Sequence, residues 1–236
     1  MEFLFLGIIW YAVFLLSATV HEAAHALAAL KLGDKTAYHG GQVTLDPVPH
    51  VKREVIGTII VPIISFLVTR GGWMLGWASA PYDPAWAYNF PKRAALMALA
   101  GPLSNLLLMF LAAAGIHLGI YLDYFYPPNQ IQLTNIVMAH DAGLPTMMAM
   151  ILSISFILNL LLFLFNLLPF PPLDGSSLFP LFMPKEKALP LMEFLRQPLI
   201  TGIGLIIAWV LFAEIFTPIH TWALNMLYFM YPGTYQ

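Results

Sequence analysis

The sequence predicts an all-α polytopic membrane bundle with one small β element. Of its 236 residues, 60% are hydrophobic and only 9% are charged, against roughly 45–50% and about 25% in soluble domains. Four runs, 3–30, 94–120, 146–168 and 198–217, are apolar over about the 20 residues that a hydrocarbon core of about 30 Å requires. A fifth stretch, 55–80, is apolar too, but Pro62 and Arg70-Gly71-Gly72 break it. Such breaks at membrane depth suit a re-entrant or tilted segment buried in protein.

In chain order, residues 3–16 could pass for a signal-peptide core, but Glu2 stands where a basic n-region belongs, so they read as the start of a retained helix. After it comes Tyr38-His39-Gly40-Gly41-Gln42-Val43-Thr44-Leu45-Asp46-Pro47. Alternation after a Gly-Gly pair predicts a short strand or hairpin there, and an exposed edge over Gln42 to Leu45 can pair with an extended peptide. The run 94–120 is interrupted by Ala100-Gly101-Pro102-Leu103-Ser104-Asn105, where Gly101 permits close backbone approach and Asn105 supplies an amide inside the bundle. The aromatic tail from Trp222 to Tyr235, with Tyr228, Phe229 and Tyr231, reads as interfacial. With no repeat or soluble segment, 1–236 forms a single membrane-embedded domain, with a core of about 17–180 and a C-terminal helix and aromatic tail over 198–236.

Basic residues orient the bundle. Lys31, Lys35, Lys52 and Arg53 share one connection, Lys92 and Arg93 a second, and Lys185, Lys187 and Arg196 a third, whereas 121–145 has none. The positive-inside rule makes the first three cytoplasmic and puts 121–145 and the N-terminus outside. Both flanks of 55–80 then lie on one side, which favours re-entry. A net charge of −2 with no basic soluble segment excludes nucleic acid as a partner. With no cysteine, any metal must be held by His, Asp or Glu.

Within the first span lies His21-Glu22-Ala23-Ala24-His25, and ionisable groups on a membrane helix demand a function. Imidazoles four residues apart share a helix face at the spacing of two zinc ligands, and the intervening Glu22 is placed to act as general base toward water at such an ion. Asn166-Leu167-Leu168-Pro169-Phe170-Pro171-Pro172-Leu173-Asp174-Gly175 closes the span 146–168. Its prolines unwind the chain at the same face as His21 and His25, so Asp174 is placed to complete two histidines and one acid, with a fourth position open. Asn166 stands where the helix loses its regular bonds, and its amide can face an extended peptide. His39 and His50 are spare ligand candidates, and His117, His140 and His220 fall near helix ends.

HEAAH, AGPLSN and NLLPFPPLDG, in this order within a polytopic chain, resemble the site-2 protease family of intramembrane zinc metalloproteases. The resemblance covers about residues 17–180. It implies one zinc per chain held by His21, His25 and Asp174, with Glu22 activating water. It also implies that Asn105 and Asn166 lie close to the active site, the latter holding substrate. Gly41 to His50, Gly57-Thr58 and Gly76-Trp77-Ala78 resemble the compact prokaryotic branch without appended regulatory domains. Where many members carry a basic residue soon after LDG, this chain has Ser176 and Ser177, a departure expected to affect the local fold rather than the metal.

The expected activity is cleavage of a transmembrane segment of another protein near the cytoplasmic face of a prokaryotic cell membrane, with the substrate added as a strand at Val43. Two alternatives remain at this stage. One is an ion or proton transporter relaying through His21, Glu22, His25 and Glu214. The other is a catalytically inert family member acting as a binding partner, against which the intact Glu22 argues.

Overall fold

The computed structural model describes residues 2–229. In chain order these form α1 (Glu2–Leu32), the short helices α2 (Thr36–His39) and α3 (Pro47–Arg53), and a π turn over Ile56–Ile60 that runs into α4 (Val61–Val68). Next come α5 (Pro84–Asn89), α6 (Pro91–Tyr121), the strands β1 (Phe125–Tyr126) and β2 (Met138–Ala139), and α7 (Leu144–Asn166). Two 3-10 turns, Asp174–Ser177 and Phe179–Leu181, lead to α8 (Lys185–Leu195) and α9 (Pro198–Leu227). Among the described residues, α1, α6, α7 and α9 are the helices long and apolar enough to cross a membrane, and they cover the four predicted runs.

These four helices alternate in direction, so their connections gather at two ends. At one end Arg93 donates to the Leu32 carbonyl (3.2 Å) and Lys185 to the Asn89 carbonyl (3.0 Å). Nine of the ten Lys and Arg residues fall in the connections at this end, the exception being Arg70. Asp34 ties its parts together: it accepts from the Thr36 N–H and hydroxyl (2.9 and 2.6 Å) and from the Asp83 N–H (2.9 Å). Burial pushes this carboxyl up, but the bonds from Thr36 and Asp83 outweigh it and hold it below its ordinary value.

The core is made by α1, α6 and α7. Trp10, Phe14, Ile154 and Leu158 fill the contact between α1 and α7, and Ile116, Ile157 and Phe125 that between α6, α7 and the strands. Outward faces stay apolar, with Leu107, Phe110 and Leu111 all exposed. Hydrocarbon is the solvent such a surface fits. The last helix, α9, covers one side of α7, where Phe212 meets Phe165 edge-on at 5.1 Å.

Residues 55–80 form a helix-out, strand-like-back hairpin. Its helical arm reaches the first turns of α1, where the Phe66 and Phe3 rings stand 4.9 Å apart. Arg70 (φ 53°) and Gly71 (φ 87°) turn the chain at the tip. The returning arm has no regular secondary structure, and side chains of the helical arm satisfy it. The Ser65 hydroxyl bonds both the N–H and the carbonyl of Leu75, and the Thr69 hydroxyl does the same for Trp73. The arms rejoin where Trp77 N–H donates to the Gly57 carbonyl (3.0 Å), and the contact requires glycine: a Cβ on Gly57 would lie 2.3 Å from the Trp77 oxygen. Both flanks therefore emerge at the basic end, as expected of re-entry.

Three expectations are corrected. The stretch 38–47, including Val43, is not a strand. Asp34 and Thr36 start α2, while Asp46 caps α3 by accepting from Val48 N–H (2.9 Å) with Pro47 in the first turn. Two helix starts so close together leave only a turn and bends between them, which a short alternation cannot outweigh. The antiparallel pair is instead Phe125↔Ala139 and Tyr126↔Met138, in the connection at the opposite end. Second, Ala100–Asn105 does not interrupt its helix. Pro102 sits inside a continuous α6, where packing against α1 and α7 outweighs one missing backbone bond. Third, Trp222 is no part of an interfacial tail, because α9 runs on to Leu227 and the buried Tyr228 donates to the Ile136 carbonyl (2.7 Å). Tyr231 and Tyr235 lie outside the described residues.

Single cysteines are clean probes in a cysteine-free chain. Replacing Lys35 and Lys92 should give labelling from the same side of the membrane, and replacing Asp123 should give labelling from the opposite side, in intact cells with an impermeant maleimide.

Candidate metal centre

Helix periodicity stacks His21 on His25, one turn apart on the face of α1 that meets α6, with ring centroids 4.6 Å apart. Both are buried, at 8% and 6% exposure, and so is Glu22 at 5%. The inner nitrogens are fixed by α6. His25 Nδ1 stands 2.8 Å from the Met97 carbonyl, which only accepts, so Nδ1 carries a hydrogen and Nε2 is the nitrogen that can serve as a ligand. His21 Nδ1 likewise faces Asn105 Oδ1 at 2.6 Å.

The third donor comes from the turn after α7. Asp174 Oδ2 lies 3.2 Å from His21 Nε2 and 3.4 Å from His25 Nε2, and the two nitrogens are 3.0 Å apart. Ligand atoms about 2.0–2.1 Å from one tetrahedral ion stand roughly 3.3–3.4 Å from each other, close to this triangle. With a hydrogen on each Nδ1, the two Nε2 atoms and the carboxylate oxygen are the three atoms left to face a cation.

Two glycines make room for this geometry. A Cβ on Gly101 would lie 2.3 Å from His25 Nε2 and 2.5 Å from His21 Nε2, so the space in front of both nitrogens is kept open by a missing side chain. A Cβ on Gly175 would strike the Leu167 and Leu168 carbonyls at 2.2 and 2.4 Å, so only glycine lets the Asp174 turn fold back over the end of α7. Ser176, where a basic residue is common, is buried in that turn and donates to the Leu173 carbonyl (2.7 Å).

His21, Glu22, His25 and Asp174 line one cavity of about 1480 Å³, well above the roughly 300–1,000 Å³ of small-molecule sites. Its other walls are the returning arm of the hairpin, α7 and α9. Glu22 Oε2 is buried without a hydrogen-bond partner. Asn166 also lines the cavity, its Nδ2 donating to its own helix at the Leu162 carbonyl (3.0 Å) and its Oδ1 left over. Val43 is half-buried in a bend and is not part of the wall. Glu214 is exposed on α9 and off the cavity, so no relay from His21 to Glu214 is assembled. His39 is exposed, His50 pairs with the Thr44 carbonyl (3.1 Å), and neither reaches the site.

The broken segment 55–80 lines the cavity, as expected of a segment supplying a wet cleft. One feature escaped the sequence reading: Asn159, whose side chain meets Asn105 at 2.9 Å; an amide in a leucine-rich span was its available signal.

Residues 9–211 match the model of peptidase family M50. The chain belongs to that site-2 protease-like family. It is 36% identical over 168 residues to the Bacillus subtilis (strain 168) protein named "Putative zinc metalloprotease YwhC", an alignment that takes in 68% of this chain. It spans 63% of that relative's length. No solved structure matches the chain.

Alanine at His21, His25 or Asp174 should each remove most zinc from the purified protein, since three protein ligands leave little redundancy. Gly101→Ala should do the same by filling the space in front of both imidazoles. Metal analysis after gel filtration checks all four, and full zinc in Asp174→Ala would remove it from the ligand set.

Proposed function

We propose that the chain is an intramembrane zinc endopeptidase that cleaves transmembrane segments of other membrane proteins near the cytoplasmic face. The observation that carries this reading is the convergence of His21, His25 and Asp174 beside the unpartnered Glu22 carboxylate, in a cavity inside an apolar four-helix bundle. Its position toward the basic end, cytoplasmic by the positive-inside rule, favours cleavage on that side.

His21, His25 and Asp174 would hold the zinc, which when bound would supply Lewis acidity toward a peptide carbonyl and bring the pKa of water toward about 7. Everything else falls to the chain. Glu22 takes the proton of the attacking water and returns it to the leaving amine. A substrate helix has to unwind before its carbonyl is exposed, and an unwound segment needs backbone partners. The returning arm of the hairpin has them to offer. Leu75 and Trp77 bond to the helical arm, while the N–H and C=O groups of the intervening Gly76 and of Ala78 have no partner among the described residues. An extended peptide laid against Gly76–Ala80 would pair with that free edge, taking the role first expected of Val43. Asn166 Oδ1 adds an acceptor for a peptide N–H.

Glu22→Gln should keep zinc and lose roughly 10²–10⁴-fold in cleavage of a single-span substrate, because the amide preserves size but cannot accept a proton. Near-parental turnover by this variant would exclude Glu22 as the base. Ala78→Pro should retain zinc and impair cleavage by removing a donor from the free edge, whereas Val43→Pro should leave cleavage unchanged. The reverse ranking in the same assay would return the substrate edge to 42–45.

A further inference from the structure

A buried chain of side chains crosses the bundle behind the candidate metal centre. Ser17 of α1, Asn159 of α7 and Asn105 of α6 are 1%, 1% and 0% exposed. Asn159 Nδ2 donates to the Ser155 carbonyl (2.8 Å) and to the Ser17 hydroxyl (3.0 Å). Asn105 Nδ2 donates to Asn159 Oδ1 (2.9 Å), and Asn105 Oδ1 accepts from His21 Nδ1 (2.6 Å).

The direction of this chain is dictated by its far end. A backbone carbonyl can only accept, so the Asn159 atom beside Ser155 O must be the NH₂ group. Its oxygen then points at Asn105, which must present its own NH₂ group there and its oxygen to His21. An oxygen at that point requires hydrogen on His21 Nδ1, and in the neutral imidazole this leaves Nε2 bare. With either amide reversed, two donors or two acceptors would face each other inside an apolar bundle, at about 1–3 kcal/mol for each unsatisfied group. Metal-bound histidines take their tautomer and orientation from the partner of the other nitrogen.

We propose that Asn159, held by Ser17 and the Ser155 carbonyl, is a positioning residue that sets the tautomer of His21 through Asn105 and so readies the centre for zinc. It touches neither the donor atoms nor the cavity wall. The proposal rests on the metal reading given above.

The test is the zinc affinity of the purified full chain in detergent, by competition with a chromophoric chelator, beside the melting temperature of the metal-free protein. Asn159→Leu should weaken zinc roughly 10–100-fold, as loss of a partner behind a metal ligand does. Adding Asn105→Asp to it should return affinity to near the parent value, because a carboxylate accepts from His21 Nδ1 whatever stands at position 159. Loss of packing alone would not be rescued in this way. Should Asn159→Leu fail to fold, Ser17→Ala decides, with a loss of roughly threefold to tenfold for one hydrogen bond that Asn105→Asp again cancels. Parental affinity in Asn159→Leu, or in Ser17→Ala where that variant decides, overturns the proposal. So does a failure of rescue when Asn105→Asp alone binds zinc. A parent chain that binds no zinc at all overturns the metal reading and the proposal with it, whereas zinc in the parent with unaffected variants overturns only the proposal.

Discussion

Two imidazole nitrogens within 3.0 Å of each other and facing a carboxylate are the arrangement the rest of this bundle serves. In hydrocarbon such a cluster has no water to relieve it, so each group must be aimed and held from behind. Three long helices share the task. The first carries both histidines on one face, the Pro91–Tyr121 helix holds their inner nitrogens with Met97 and Asn105, and the Leu144–Asn166 helix delivers Asp174 through the turn at its end. Gly101 lets these elements close to the right separation without a methyl group occupying the space between them.

The second demand is opposite in kind. The proposed hydrolysis would need water and an extended peptide inside an apolar bundle. The hairpin over 55–80 suits this better than a further long helix, because a helix consumes its own backbone groups whereas the N–H and C=O groups of Gly76 and Ala78 have no partner among the described residues. Ser65 and Thr69 satisfy part of the returning arm by bonding Leu75 and Trp73. The Pro198–Leu227 helix closes the far side with apolar and aromatic residues such as Trp209 and Phe212.

Much of this is legible in the residues themselves, since membrane depth amplifies polar signals. His21, His25 and Asp174 stand out because nothing bland explains an ionisable group in such runs, and helix period and proline chemistry then say where each points. The four spans follow from length and hydropathy. What fails is local pattern set against local capping or distant packing. Alternation around Val43 yields to the Asp34 turn on one side and the Asp46 cap on the other, Pro102 fails to break a helix clamped between two others, and Trp222 belongs to a helix that extends to pack Tyr228 on Ile136. Asn159 was passed over for a different reason: an amide in a leucine-rich span marks it, but its role depends on the partners that α1 and α6 bring to it, which one sequence does not display.

The most direct measurement is X-ray absorption at the zinc edge on the purified chain. The account predicts one zinc per chain with two imidazole nitrogens at about 2.0–2.1 Å and its remaining ligands oxygen at about 2.0–2.2 Å. A folded chain that holds no zinc after purification in zinc-replete buffer, or a zinc bound by a third imidazole, would contradict it.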